Sequence, residues 1–225
     1  DPAIVGNDMR ILITEMAGRA SVELKAAELG VDLSAKPEVV SRVVETVKRR
    51  EASGWSYEAA DASFLLLIRS EIARAESGET KIPEDSRIGQ RAAMRPFTIE
   101  SYRVIVVHNG AGGAKSEATV KVTVGGKRVI VTAEGNGPVD ALDSALRQAV
   151  VAQYPQLADV ELSDYKVRIL DSQSASGARV RVLIESGDGN GDWTTGGAST
   201  DIIEASWLAL ADSLEYGLTC GTPKE

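Results

Sequence analysis

The run Glu134 to Leu146, EGNGPVDALDSAL, has the make-up of a small-anion site. A β-rich stretch leads into it, two glycines tighten a turn, and Pro138 stands where a first helical residue belongs. Such a strand-turn-helix start leaves backbone N–H groups unpaired at the positive end of a helix dipole. It suits a small anion such as a carboxylate. The layout recurs at Gly197 to Leu210, GASTDIIEASWLAL. Alone the feature is common, and an acidic residue such as Asp140 is favourable in a first helical turn through the dipole alone.

Other reactive residue types are scarce. His108 is the single histidine and Cys220 the single cysteine. A His-based triad, a Cys–His pair or a multi-His zinc site has little freedom to form, which argues against a self-contained hydrolase or metalloenzyme. His108, at a strand end beside a glycine turn, reads as a surface histidine. Tyr102 and Tyr165 read as packing residues at equivalent strand positions. Arg147, Arg168, Arg179 and Arg181 read as solvated strand and helix charges.

The strands and helices around the two helix starts form a repeat. Thr98 to Val107, Glu117 to Val124 and Arg128 to Thr132 are β-branched or alternating strand runs, with Asn109 to Gly113 and the Gly125-Gly126 pair as turns. A helix from Pro138 to about Gln153 closes this unit. Ser163 to Val167 then matches Glu100 to Val104 at an offset of about 63 residues. Val180 to Glu185 and Asp192 to Thr195 supply further strands around the GDGNG turn, and a helix from Asp201 to about Tyr216 follows. Val139, Leu142, Leu146 and Val150 line up with Ile203, Ser206, Leu210 and Leu214 as one helical stripe. Trp207 falls where Asp143 sits in the first unit, which suggests packing at an interface instead of a mirrored core. An internal βββα duplication is the simplest account. One three-stranded sheet with a helix on one face leaves the other face to be covered by the second unit or another chain.

The residues before the repeat read as helices. The first spans about Ala20 to Leu29 and ends at Gly30. Asp32 to Ala35 is a turn. Pro37 opens the second, with Val39, Val40, Val43, Val44 and Val47 as its apolar stripe. The basic run Lys48-Arg49-Arg50 reads as a solvated helix end. The third spans about Tyr57 to Ala75, with Ala60, Phe64, Leu67 and Ile68 facing a core. The expected fold class is α+β: helical subdomains over 1–76, a polar linker over 77–96, a βββα-βββα domain over 97–219 and a tail over 220–225.

Composition sets outer limits. Of 225 residues 43% are hydrophobic, enough for a sizeable core. The net charge of −8 disfavours nucleic acid as a partner. The lone cysteine fits a reducing compartment, so a cytoplasmic location is expected. No apolar run approaches membrane-helix length, so no membrane partner is expected. The start at Asp1-Pro2, without methionine, raises the expectation of a piece of a longer protein.

AEGNGPVDALDSALRQA, DYKVRILD, RVLIES and WTTGGASTDIIEASWLALADSLEY together resemble the C-terminal regulatory domain of the α-isopropylmalate synthase and citramalate synthase family. VGNDMRILITEMAGRA, KAAELGVDL and GWSYEAADASFLLLI look like the linker subdomains of the citramalate branch. The resemblance covers nearly the whole chain. It implies a parent acyltransferase with a catalytic (β/α)8 barrel that binds a divalent metal, acetyl-CoA and a 2-oxo acid. No eightfold strand-helix alternation and no metal-binding His pair occurs in these residues, so no cofactor and no catalytic activity is expected of this region alone. The region is expected to form a homodimer, to act on its own barrel, and to bind an end-product amino acid, isoleucine in the citramalate branch or leucine in the isopropylmalate branch. Arg19, in AGRA, matches a linker motif next to the barrel.

A zwitterionic aliphatic amino acid sets three demands on the site so implied. Its carboxylate wants backbone N–H groups, which the turn at Gly135, Asn136 and Gly137, just ahead of Pro138, could supply with close approach. Its ammonium wants a carboxylate, for which Asp140 and its counterpart Glu204 are candidates. Its side chain wants an apolar wall, for which Val139, Val160, Val167 and Ile202 are candidates.

Overall fold

The computed structural model describes residues 18–78, 96–108, 110–170 and 177–220. The expectations for 1–17, for nearly all of the 77–96 linker and for the last five residues lie outside them.

Three helices come first: α1 (Arg19–Glu28), α2 (Pro37–Ala52) and α3 (Asp61–Glu76). Pro37 occupies the first turn of α2, where its missing N–H costs nothing. Val39, Val40, Val43 and Val47 recur at helical spacing and are buried against Val22 and Ala26 of α1 and Phe64, Leu67 and Ile68 of α3. Gly30 follows α1 at φ +78°, the left-handed conformation that stops a helix. Lys25 is buried at 1% exposure because its ammonium is held by Glu28 and Asp61, each at 3.0 Å.

Two expectations change here. Helix α3 starts at Asp61 and not at Tyr57, because Tyr57 serves as a core side chain ahead of the helix, its ring 5.6 Å from that of Phe64. The basic run ending α2 is not wholly solvated. Arg50 is buried, donates to the Tyr57 hydroxyl at 2.7 Å and lies over the Trp55 ring. A guanidinium can do this where its charge meets a hydroxyl and a π face.

The repeat follows. The first unit is β1 (Phe97–His108), β2 (Ala114–Val124), β3 (Lys127–Gly135) and α4 (Pro138–Val151). The second is β4 (Glu161–Ile169), β5 (Val180–Gly187), β6 (Asp192–Ser199) and α5 (Ile202–Thr219). Each sheet is antiparallel in the order of the chain. Gly125 and Gly126 have φ of +54° and +75°, as a two-residue hairpin turn requires. Even the irregularities repeat: the register shifts between Ile99 and Ser101 in the first unit and between Leu162 and Asp164 in the second. These bulges stand at the same place in each unit.

Alternation in β2 buries Ala118, Val120, Val122 and Val124 on one face, against Leu142, Leu146 and Val150 of α4. Leu210 and Leu214 of α5 and Val182 and Ile184 of β5 belong to the same core. The two units therefore share one interior. The expected solvated reading fails for Arg147 and Arg181. Arg181 donates to the Gly54 carbonyl at 2.8 Å and the Trp55 carbonyl at 3.1 Å, and burial lowers its pKa. Arg179, though exposed, donates to the Ala52 carbonyl at 2.7 Å. Both fasten the end of α2 to the second sheet. Helix α3 lies along β6 and α5, where the Gly196 N–H donates to Ser63 Oγ at 3.1 Å. The free edge of β6 is thereby capped by a helix. The outer face of the first sheet lacks such cover among the described residues and exposes Ile105, Val107 and Ile130.

Candidate functional site

The loop from β3 into α4 is built around contact between backbone atoms. A Cβ on Gly135 would stand 2.4 Å from the Ala141 nitrogen, and one on Gly197 would stand 2.0 Å from the Ala205 oxygen. These two glycines let each helix seat on the end of its own sheet. Gly135 therefore leaves its space to the helix and not to a ligand. Gly137 differs: a Cβ there would meet nothing within 4 Å.

Pro138 occupies the first turn of α4, and no side chain caps the helix from its N-cap position. The Asp140 carboxylate reaches back and accepts the Asn136 N–H at 2.8 Å. This resembles the reach-back half of a capping box. The second helix start is closed by its own residues. Asp201 accepts the N–H groups of Ile203 at 2.7 Å and Glu204 at 3.3 Å. Glu204 accepts the Ser199 hydroxyl at 2.6 Å. The two starts are equivalent in sequence but not in what they leave unsatisfied.

Beside α4 lies a cleft of about 650 Å3 that runs between this helix and β4. A cavity of this size is in the range of small-molecule sites. Val139, Ala158, Val160 and Leu162 form its apolar lining. Asp140, Asp143, Arg147, Glu161 and Tyr165 supply its polar groups. Arg147 donates from Nε to Asp143 at 2.7 Å and from Nη1 to the Val160 carbonyl, so it is partly buried and paired. The other Asp143 oxygen, Oδ1, is buried and has no hydrogen-bond partner among the described residues. The Tyr165 hydroxyl meets Ser206 Oγ on α5 at 2.8 Å. The cleft thus sets a carboxylate–guanidinium pair beside an aliphatic wall.

Of the residues singled out from sequence, Val139, Asp140 and Val160 line the cleft. Asn136, Gly137 and Pro138 form the turn leading to it without lining it. Val167 and Ile202 are exposed, and Glu204 belongs to the other helix start. Asp143, Arg147, Leu162 and Tyr165 escaped that list. A signal for two of them was present: Asp140, Asp143 and Arg147 are spaced i, i+3, i+7 and must share one face of α4. Tyr165 does pack as expected, and it borders the cleft as well. His108 is exposed at the end of β1. Arg19 donates to Ser41 Oγ at 2.8 Å.

The corresponding place in the second unit is filled. Trp207 takes the position of Asp143, is completely buried, and lies with its ring 4.8 Å from that of Tyr102. Tyr102 is the counterpart of Tyr165. It packs with Trp207 into the shared core, so Trp207 bridges the two units from inside. Burial, then the charges of Glu204 and Asp201, push the Tyr102 phenol up to about 12.

Comparison with known proteins agrees with this architecture. Residues 58–218 match the LeuA allosteric (dimerisation) domain. The chain is 48% identical over 218 residues to the (R)-citramalate synthase of Streptomyces coelicolor, covering 97% of this chain and 38% of that protein. It is 40% identical to the (R)-citramalate synthase of Synechocystis sp., covering 98% of this chain and 38% of the relative. A 2-isopropylmalate synthase of Acidovorax ebreus is 28% identical, over 91% of this chain and 34% of that enzyme. The chain thus spans about 38% of the length of the first two relatives. A match that begins ahead of α3 and runs to the end of α5 takes in both βββα units and the helix that docks on them, and on this ground the chain belongs to the LeuA allosteric (dimerisation) domain family of the citramalate and isopropylmalate synthases.

Proposed function

We propose that this chain is the regulatory and dimerisation region of a cytoplasmic citramalate synthase, and that it binds isoleucine in the cleft between α4 and β4 as a feedback inhibitor. The parent enzyme would join the acetyl group of acetyl-CoA to pyruvate. One observation carries the ligand class: the cleft sets the Asp143–Arg147 pair beside the aliphatic groups of Val139, Val160 and Leu162. A zwitterion with a branched apolar side chain matches that division. Its ammonium would take the Asp143 carboxylate, and its carboxylate would take the Arg147 guanidinium one turn further along α4. Inhibition would follow by linkage, the ligand favouring one arrangement of this region against the catalytic domain. The metal and acetyl-CoA would be held by that domain. The described residues gather no group of three or more carboxylate, histidine or cysteine side chains fit to hold an ion.

The identities of the relatives support isoleucine over leucine, since those sharing 40% or more are citramalate synthases. Leucine control in a 2-isopropylmalate synthase is the second reading, supported by the more distant relative. A purely structural dimerisation role is the third, and the exposed Ile105, Val107 and Ile130 favour it. Calorimetry with isoleucine, leucine and valine separates the three. Isoleucine should bind tightest. Tightest binding of leucine selects the second reading, and no heat with any of them selects the third.

A further inference from the structure

We infer that Trp207 is a plug that fills the second of two pseudo-equivalent clefts, so that each chain keeps one zwitterion site and one latent apolar site. The two units place the same elements around each position. In one, Asp143 of α4 faces the cleft bordered by Tyr165 of β4. In the other, Trp207 of α5 lies against Tyr102 of β1. Both tyrosines follow the same bulge in the first strand of their unit. The exchange of a short carboxylate for an indole converts an open cleft into packed core.

The filling has a cost that marks it as steric. Trp207 is fully buried, yet its Nε1–H has no acceptor among the described residues. A buried indole normally finds a partner, and leaving the donor unpaired is unfavourable. The ring is held there by its volume and its contact with Tyr102.

The latent site differs in chemistry from the open one. The counterpart of Arg147 is Ala211, and the counterpart of Asp143 is Trp207 itself. No charge pair remains for an amino acid. An emptied second cleft, bounded by Tyr102, Ile203 and Ala211 with Glu204, the counterpart of Asp140, close enough to act on the Tyr102 phenol, would be mainly apolar without a cation and would take a small uncharged aromatic. Cavities of that kind stay dry and bind such molecules.

The test uses the whole chain and indole as probe. Trp207→Ala should lower the melting temperature, and indole should raise it again by several degrees while leaving the wild type unmoved. Calorimetry should give one indole per variant chain. Trp207→Leu, which keeps more of the apolar volume, guards against failure to fold: it should melt between the other two proteins and respond less to indole. If a folded Trp207→Ala shows no indole response, or the wild type responds equally, the plug is overturned. A second arm rests on the isoleucine reading. One isoleucine per wild-type chain supports the inference and two per chain overturn it. Absence of isoleucine binding overturns that reading instead, and the indole arm still decides the plug.

Discussion

The Tyr165 hydroxyl on β4 lies 2.8 Å from Ser206 Oγ on α5. Ser206 itself donates to the Ile202 carbonyl at 2.6 Å, so the Tyr165 proton points to Ser206. A wall residue of the cleft is thereby tied to the helix of the other unit. The equivalent tyrosine, Tyr102, reaches the same helix through ring contact with Trp207. Each first strand thus touches α5, once beside an open cleft and once inside the packed core.

The first prediction concerns the charged end of the cleft. Asp143→Ala should weaken isoleucine binding at least about tenfold, which is about 1.4 kcal/mol. Asp140→Ala should weaken it less, because one Asp140 oxygen is committed to the Asn136 N–H. Loss of that bond should cost about 1 kcal/mol of stability, the scale of other lost helix caps. Titration calorimetry and thermal melting of both variants separate the two effects. Unchanged affinity in Asp143→Ala would remove the ammonium role assigned to it.

The second prediction separates the glycines at the helix starts. Gly197→Ala and Gly135→Ala place a methyl group against main-chain atoms at 2.0 and 2.4 Å, where nothing can give by side-chain rotation. Each should cost about 3 kcal/mol or more, the upper range of overpacking. Gly137→Ala has open space and an extended φ of −153°, so it should melt as the wild type does. Equal melting of all three variants in a thermal scan would contradict the close helix seating.

What was legible in the sequence was what is local. The repeat of strand runs, the Gly125-Gly126 turn and the Pro37 and Pro138 helix starts each need only a few neighbouring residues, and each stands where the sequence put it. The alternation of β2 told which face is buried for the same reason. What was hidden depends on partners far along the chain. Arg181 reads as a solvated strand charge until the Gly54 carbonyl, 127 residues away, comes to it. The cleft is hidden likewise. Val139 and Asp140 could be chosen from the helix start, but Leu162 and Tyr165 join them only because β4 lies beside α4. The fate of Trp207 was legible in part: its departure from Asp143 pointed to interface packing, but that the interface is the one between the two units, against Tyr102, rests on the same distant packing.

The third prediction is alkaline. Tyr102 is raised from an ordinary value of 10.0 to about 12, burial being the main cause and the Glu204 and Asp201 charges adding to it. Tyr216 and the Cys220 thiol are also raised, again mainly by burial. The folded state therefore holds the Tyr102 proton more tightly than the unfolded state does. The stability this contributes is complete below the unfolded value and is lost as pH rises toward 12. Urea midpoints should fall across that window, and Tyr102→Phe should flatten the fall. An identical pH slope in the variant would show that Tyr102 ionises as freely as in an unfolded chain.

The last prediction addresses the joint between the helices and the repeat. Ser63 Oγ donates to Asp212 Oδ2 on α5 at 2.9 Å and accepts the Gly196 N–H of β6 at 3.1 Å. Ser63, Asp212 and Gly196 are all buried, so no water stands ready to replace a lost partner. Asp212→Ala removes the charged acceptor and should cost about 2–3 kcal/mol, the range for bonds to ionised groups. Ser63→Ala leaves the carboxylate and the edge N–H each short of a partner, and should cost a similar amount. The double variant should cost less than the two together, by about 1 kcal/mol or more, because each change alone already breaks the same bond. Urea unfolding of the four proteins closes the cycle. Strict additivity would mean that Ser63 and Asp212 do not act as one joint between α3 and α5.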